Sequence, residues 1–262
     1  MIRHFSSSSA CFSLALVLFV FPWFGPACES PDANLDFYGP TPPVQYLLGD
    51  FAPEKHPAFV RLDRMKIPTG GRTIYLRAEA AEALKRMFAD FQKAHPGVEF
   101  WVTSGTRNFR DQRGIWEAKW NGERLVDGKQ LNKTIADSDE RARKILEYSS
   151  MPGTSRHHWG TDFDINKLTN GYYKSGPGAV LYGWLVKNGA RYGFCQPYTA
   201  GREAGYFEER WHWTYLPLSR KYLADWKQIV AERYPAGKSF AGSTGAAELA
   251  TIYVETINPA CR

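Results

Sequence analysis

The chain has 262 residues, of which 44% are hydrophobic and 23% charged. These are ordinary values for a soluble globular protein, and a core of that size folds without needing staples. The net charge of +6 favours an anionic setting such as a cell-wall polymer or a lipid surface, but with no dense Lys/Arg block and no recognisable nucleic-acid motif, no nucleic-acid partner is expected.

Residues 1–27 read as a signal peptide. Arg3 supplies the positive start, Cys11 to Phe24 is an apolar run too short for a comfortable membrane span, and Gly25-Pro26-Ala27 is a small-residue end. Cleavage after Ala27 leaves Cys28 first, which raises membrane anchoring through a lipidated Cys28. A lipoprotein signal usually has Leu where Gly25 stands, so ordinary secretion is the competing reading. The expected location is the periplasm or cell envelope. Once Cys11 leaves with the signal, Cys28, Cys195 and Cys261 remain. Export favours oxidation. Cys195 pairs with Cys261, or Cys28 pairs with either, or Cys195 stays free and buried. No CxxC spacing marks a cysteine metal site.

Residues 28–72 form a Pro-rich arm carrying Pro40, Pro42, Pro43, Pro53, Pro57 and Pro68. Its apolar residues Tyr46, Leu47, Leu48, Phe51 and Phe59 point to docking. A domain over 73–235 follows. Thr73 to Leu76 alternates like a strand. Ala78 to Ala94 has Ala81, Leu84, Met87, Phe88 and Phe91 at helical spacing. Val98 to Val102 alternates again and delivers Ser104-Gly105-Thr106-Arg107 at its end. A helix is predicted from Asp111 to Asn121, a polar insertion or flap over 121–137, and a helix from a Ser138 cap to Tyr148. Further on come a helix over Ala179 to Asn188 with Leu181, Trp184 and Leu185 inward, a Gly-rich loop ending at Gly205-Tyr206, a strand over Phe207 to Tyr215, and a helix over Leu218 to Arg233. Residues 236–262 read as a flexible tail, with an edge strand or docked segment over Thr251 to Ile257.

The chemistry gathers in two stretches, Ser155-Arg156-His157-His158-Trp159-Gly160-Thr161-Asp162-Phe163-Asp164 and Glu209-Arg210-Trp211-His212-Trp213. A His, an Asp and a second His with a free Glu nearby are the inventory of a catalytic zinc site with an open position. Two His and one carboxylate also suit non-haem iron. Glu209, three residues before His212, favours hydrolysis, because an attacking water needs a base beside it. Strand periodicity puts Asp162 and Asp164 on one face, so either serves as the ligand; His157 and His158 pose the same choice. Glu209 and His212 fall on opposite faces of a regular strand, which a bulge or twist would reconcile. Arg210 is an obvious ion-pair partner for Glu209. Arg107 is suited to a substrate carboxylate or a developing oxyanion. Ser155 reads as a nucleophile only if a Ser-His-Asp arrangement exists, and a metal makes that chemistry unnecessary.

The first stretch resembles the SxHxxGxAxD motif of the VanY-type D-alanyl-D-alanine carboxypeptidases, zinc peptidases related in fold to the Hedgehog signalling domain; Ser155, His157, Gly160 and Asp164 match. Glu209, Trp211 and His212 resemble the family's ExWH motif, and Ser104-Gly105-Thr106-Arg107 with Gln112 resembles its SGYR segment and later Gln, Thr106 standing where the family has Tyr. The resemblance runs from about Leu76 to about Tyr215. It implies an α+β fold with a small antiparallel sheet and flanking helices. It selects His157, Asp164 and His212 as zinc ligands, Glu209 as general base, Arg107 for substrate or transition-state charge, and Ser155 and Gln112 for substrate binding. Asp162, where the motif has Ala, either orients a ligand His or points away from the metal. The implied activity is hydrolysis of the terminal D-Ala-D-Ala bond of peptidoglycan stem peptides by a monomer. Alternatives on the same scaffold are an L,D-carboxypeptidase or endopeptidase, and a non-catalytic zinc-containing wall-binding module, against which Glu209 speaks.

Overall fold

The computed structural model describes residues 36–235, 237–243 and 247–262; the expected signal peptide and Cys28 lie outside the described residues. The Pro-rich segment is built into the body from residue 36 on. Helix α1 (Pro43–Leu47) opens on a proline and buries Tyr46 and Leu47. Strand β1 (Phe59–Arg61) pairs antiparallel with β2 (Tyr75–Arg77), Val60 opposite Leu76. One ladder therefore crosses the boundary expected at residue 72, and Asp36–Arg262 form a single unit. Aromatic packing explains the docking. Tyr46 stacks on Phe51 and Tyr222, with ring centroids 4.9 and 5.1 Å apart, and its hydroxyl donates to the carbonyl of Trp159.

Helix α2 (Ala78–Ala94) keeps the predicted bounds and buries Ala81, Leu84, Met87 and Phe91 at helical spacing. The strand expected over 98–102 is displaced to β3 (Val102–Ser104). Asn166 replaces a neighbouring strand before it, since its side chain accepts from the N–H of Trp101 and donates to the carbonyl of Glu99. Helix α3 (Phe109–Trp120) starts earlier than expected because Asn108 and Asp111 cap it reciprocally. The 121–137 insertion contains a short helix α4 (Leu131–Thr134). Helix α5 (Ser138–Leu146) is capped by Asp137 rather than Ser138; the Asp137 carboxylate accepts from the N–H of Glu140.

Strand β4 (Asp162–Ile165), helix α6 (Gly176–Asn188), strand β5 (Phe194–Cys195), strand β6 (His212–Tyr215) and helix α7 (Leu216–Asp225) follow. The strand expected from Phe207 begins only at His212. The expected long helix to Arg233 ends in a wider turn over Trp226–Val230 and a tight one over Ala231–Arg233. The tail does not form an edge strand. It carries helix α8 (Ala247–Glu255), buries Val254 and Ile257, and is joined through Cys261 to Cys195 by a disulfide, Cα atoms 5.7 Å apart.

The main sheet has the order β3-β4-β6-β5 and is antiparallel throughout, which is the α+β architecture the sequence implied. Strand β4 lies inside it and is buried along its whole length. Alternation sends Phe163 and Ile165 into the core shared with α2, Phe194 and Trp213. Asp162 and Asp164 consequently share the other face. No helix among the described residues is long and apolar enough to cross a membrane.

Candidate metal centre and its cleft

Register assembles the centre. Asp164 lies opposite His212, and Asp162 opposite Thr214, across the β4–β6 ladder. His157 enters from a tight turn over Arg156–Trp159 that ends in a left-handed Gly160, φ +74°. A side chain on Gly160 would run into the Phe59 ring and the Arg77 stem, so the turn requires glycine.

Hydrogen bonding fixes which nitrogen of each imidazole is free. His157 Nδ1 lies 2.8 Å from the carbonyl oxygen of Gly105. A carbonyl only accepts, so Nδ1 carries the proton and the Nε2 lone pair faces Asp164 Oδ2 at 3.4 Å. His212 Nε2 donates to Asp162 Oδ1 at 2.9 Å, and its Nδ1 lies 3.1 Å from Asp164 Oδ1. Asp164 Oδ1 is buried without a hydrogen-bond donor in good geometry. One ligand atom from each of His157, Asp164 and His212 lies within 4.8 Å of the others. Lone pairs converging on a buried carboxylate repel unless a cation sits among them. Two nitrogens, one oxygen and an open side fit zinc. Burial would lower His212, but the carboxylates of Asp162 and Asp164 beside it push it up to about 9. Burial would raise Asp164, yet the imidazoles of His157 and His212 hold it well below the carboxylate range. Burial, then the charge of Arg107, lowers His157 against the opposing pull of Asp164.

The structure also separates the ambiguous pairs. His158 is no ligand. Its Nδ1 donates to the carbonyl of Arg107 and its Nε2 accepts from the N–H of Gly153, and burial pushes it down to about 3. Asp162 does not point away. Besides His212 it accepts from Arg156 Nε at 2.9 Å and from the hydroxyls of Thr161 and Thr214, both at 2.7 Å. Burial opposes its charge, but Arg156 and His212 hold its carboxyl far below the ordinary range.

Glu209 needs no bulge to reach the centre. It sits before β6, in a turn where the N–H of His212 reaches its carbonyl at 3.4 Å, and its Oε2 lies 3.6 Å from His212 Nδ1. Burial, with Asp164 adding to it, pushes Glu209 up to about 7 against the pull of His212 and Arg107. Arg210 is not its partner. The guanidinium donates to Glu208 at 3.1 Å and lies over the Tyr182 ring, which leaves Glu209 facing the centre.

A cleft of about 740 Å³ surrounds these groups. Arg107, Gln112 and Ser155 all line it, and each brings a buried polar atom without a partner: Arg107 Nε, Gln112 Oε1 and Ser155 Oγ. Gln112 is held by donation from Nε2 to the carbonyl of Ser150 at 2.7 Å. Ser155 makes no hydrogen bond to an imidazole, which removes the nucleophile reading. Of the 121–137 insertion, Arg124 lines the cleft. Sequence reasoning did not single out Tyr198, whose ring lies 4.7 Å from that of His212, or Lys119. Lys119 follows Gln112 by seven residues on α3 and shares its face, a spacing that was there to be read.

Comparison with known proteins identifies the family that shares these motifs. The model of a family described as VanY, D-alanyl-D-alanine carboxypeptidase, matches residues 73–218, more than half the chain. The Bacillus subtilis protein YodJ is 28% identical over 164 residues, 61% of this chain and 53% of that protein. A D-alanyl-D-alanine carboxypeptidase of Enterococcus faecalis is 30% identical over 124 residues, 47% of this chain and 42% of that one. The chain thus spans about half the length of the curated relatives it matches. Among solved structures, the LD-carboxypeptidase LdcB overlays with a TM-score of 0.48 at 23% identity, over 69% of this chain and 76% of that one.

Proposed function

This chain belongs to the VanY family of D-alanyl-D-alanine carboxypeptidases, and from that membership we propose that it is a zinc-dependent carboxypeptidase hydrolysing the terminal D-Ala-D-Ala bond of peptidoglycan stem peptides. The observation that carries this reading is the buried Asp164 facing the free nitrogens of His157 and His212, with the carboxylate of Glu209 3.6 Å from the latter.

Zinc, when bound, supplies the Lewis acid that polarises the scissile carbonyl and makes water acidic enough to lose a proton near neutral pH. Glu209 would accept that proton as the water oxygen bonds to the carbonyl carbon, and deliver it to the nitrogen of the departing D-Ala as the C–N bond breaks, giving a carboxylate and an amine. Arg107 and the Ser155 hydroxyl hold the terminal carboxylate. Gln112, fixed through Ser150, accepts a peptide N–H on Oε1. The Cys195–Cys261 disulfide supports an oxidising, exported setting in the cell envelope.

The test is release of D-Ala from a synthetic stem pentapeptide, with chelator and then with zinc restored. Release that the chelator stops and zinc restores supports the reading. Product identification on digested sacculi separates D,D-carboxypeptidase from L,D or endopeptidase cleavage. A zinc-loaded protein that frees no D-Ala ends the proposal.

A further inference from the structure

One end of the cleft carries more positive charge than a single terminal carboxylate can use. Arg107, Lys119 and Arg124 all line it. Arg107 is assigned above. Lys119 is only 6% exposed, and among the described residues it has no carboxylate partner. Its ammonium donates to Ser149 Oγ at 2.6 Å, leaving two of its three donors unaccounted for. Arg124 is exposed and has no ion pair among the described residues. The nearby Glu147 is already held by Lys144 at 2.7 Å. Burial first, then the charges of Arg124 and Arg107, push Lys119 down to about 8, so it stays mostly charged at neutral pH. The Tyr148 ring 5.8 Å from the ammonium and the more distant Glu209 offset part of this, but a nearly buried cation beside two guanidiniums and facing a cleft still gains from an arriving anion.

We propose that Lys119 and Arg124 form a second anion subsite, which takes a side-chain carboxylate carried by the same peptide whose terminal carboxylate Arg107 holds. Lys119 lies seven residues beyond Gln112 on α3, about 10 Å along the helix axis. The second carboxylate therefore sits about two or three residues' reach of extended chain from the peptide N–H that Gln112 accepts. The subsite deepens the carboxypeptidase reading and depends on it for the direction of the peptide.

The test uses zinc-loaded full-length protein and peptides ending in D-Ala-D-Ala. Matched pairs carry, one or two residues before the terminal pair, either a side-chain carboxylate or its carboxamide. The carboxylate form is expected to show a KM about tenfold lower at one of these positions, with kcat little changed, and the difference should shrink as salt rises. Lys119→Met should bring the ratio of the two KM values close to one. Arg124→Met, at an exposed position that leaves the fold intact, should lower it by about half. Equal KM values for every pair in the unaltered protein overturn the subsite, as does a ratio that survives both substitutions. Calorimetric binding of the same peptides to zinc-loaded Glu209→Gln reads the subsite without turnover. If neither peptide is cleaved but the carboxylate form still binds more tightly, the carboxypeptidase reading fails and the subsite stands.

Discussion

Asp162 Oδ1 accepts a hydrogen bond from His212 Nε2 at 2.9 Å, and this bond turns Nδ1 of the same ring toward Asp164. A carboxylate stands here where the family motif has Ala. It brings its own support: Arg156 compensates its charge from 2.9 Å, and two threonine hydroxyls occupy its other oxygen. Such an outer partner fixes the tautomer and orientation of a ligand histidine and raises its basicity.

Asp162→Asn should therefore weaken zinc binding by about 10- to 100-fold, measured by competition with a chromophoric chelator. The position of the Co(II) absorption bands should move as His212 loses its fixed orientation. Unaltered affinity and spectrum would mean that Asp162 only packs.

Glu209→Gln keeps the shape of the side chain and removes the base. Turnover of a D-Ala-D-Ala peptide should fall by about 10²- to 10⁴-fold, while zinc content stays at one ion per chain. A variant that lost its zinc as well would show Glu209 to be a ligand instead.

Zinc loading should release a proton. His212 is pushed up to about 9 in the apo protein, so below that value the metal must displace the proton on Nδ1, and affinity should rise by up to tenfold per pH unit. Titration calorimetry in buffers of different ionisation enthalpy measures the release. Apo stability runs the other way. A pKa raised above 6.5 contributes fully below 6.5 and fades as pH climbs through about 9. Denaturant midpoints of the apo protein should fall across that window. Flat midpoints and no proton release would contradict the assignment.

Breaking the link between Cys195 and Cys261, which are 66 residues apart, should cost about 2–4 kcal/mol in urea unfolding. Helix α8 should become the first site of proteolysis, since the bridge ties the segment after it to β5. A Cys261→Ser variant as stable as the parent would assign the tail's docking to Val254 and Ile257 alone.

The sequence by itself determined the chemistry. The residue types in the Ser155–Asp164 and Glu209–Trp213 stretches, with Arg107 and Gln112 upstream, supply the inventory of a metal site with a spare acid, because ligand types and short spacings are local facts. It also determined α2, whose apolar positions recur at a period that only a helix buries. Between neighbours the residue pattern was silent; the family resemblance chose, and only the tertiary structure supplies the physical reason. Asp162 and Asp164 share a face by alternation, and the β4–β6 register with the buried Arg156 ties Asp162 to His212 and leaves Asp164 facing both imidazoles. His158 is withdrawn by Gly153 and Arg107, contacts that no local pattern encodes. The late start of β3 was illegible for the same reason: the backbone just before it, at Glu99 and Trp101, bonds to the Asn166 side chain, more than sixty residues away. Hydrogen-bond partners and charge compensation are set by what the fold brings near, and spacing along the chain is silent about them.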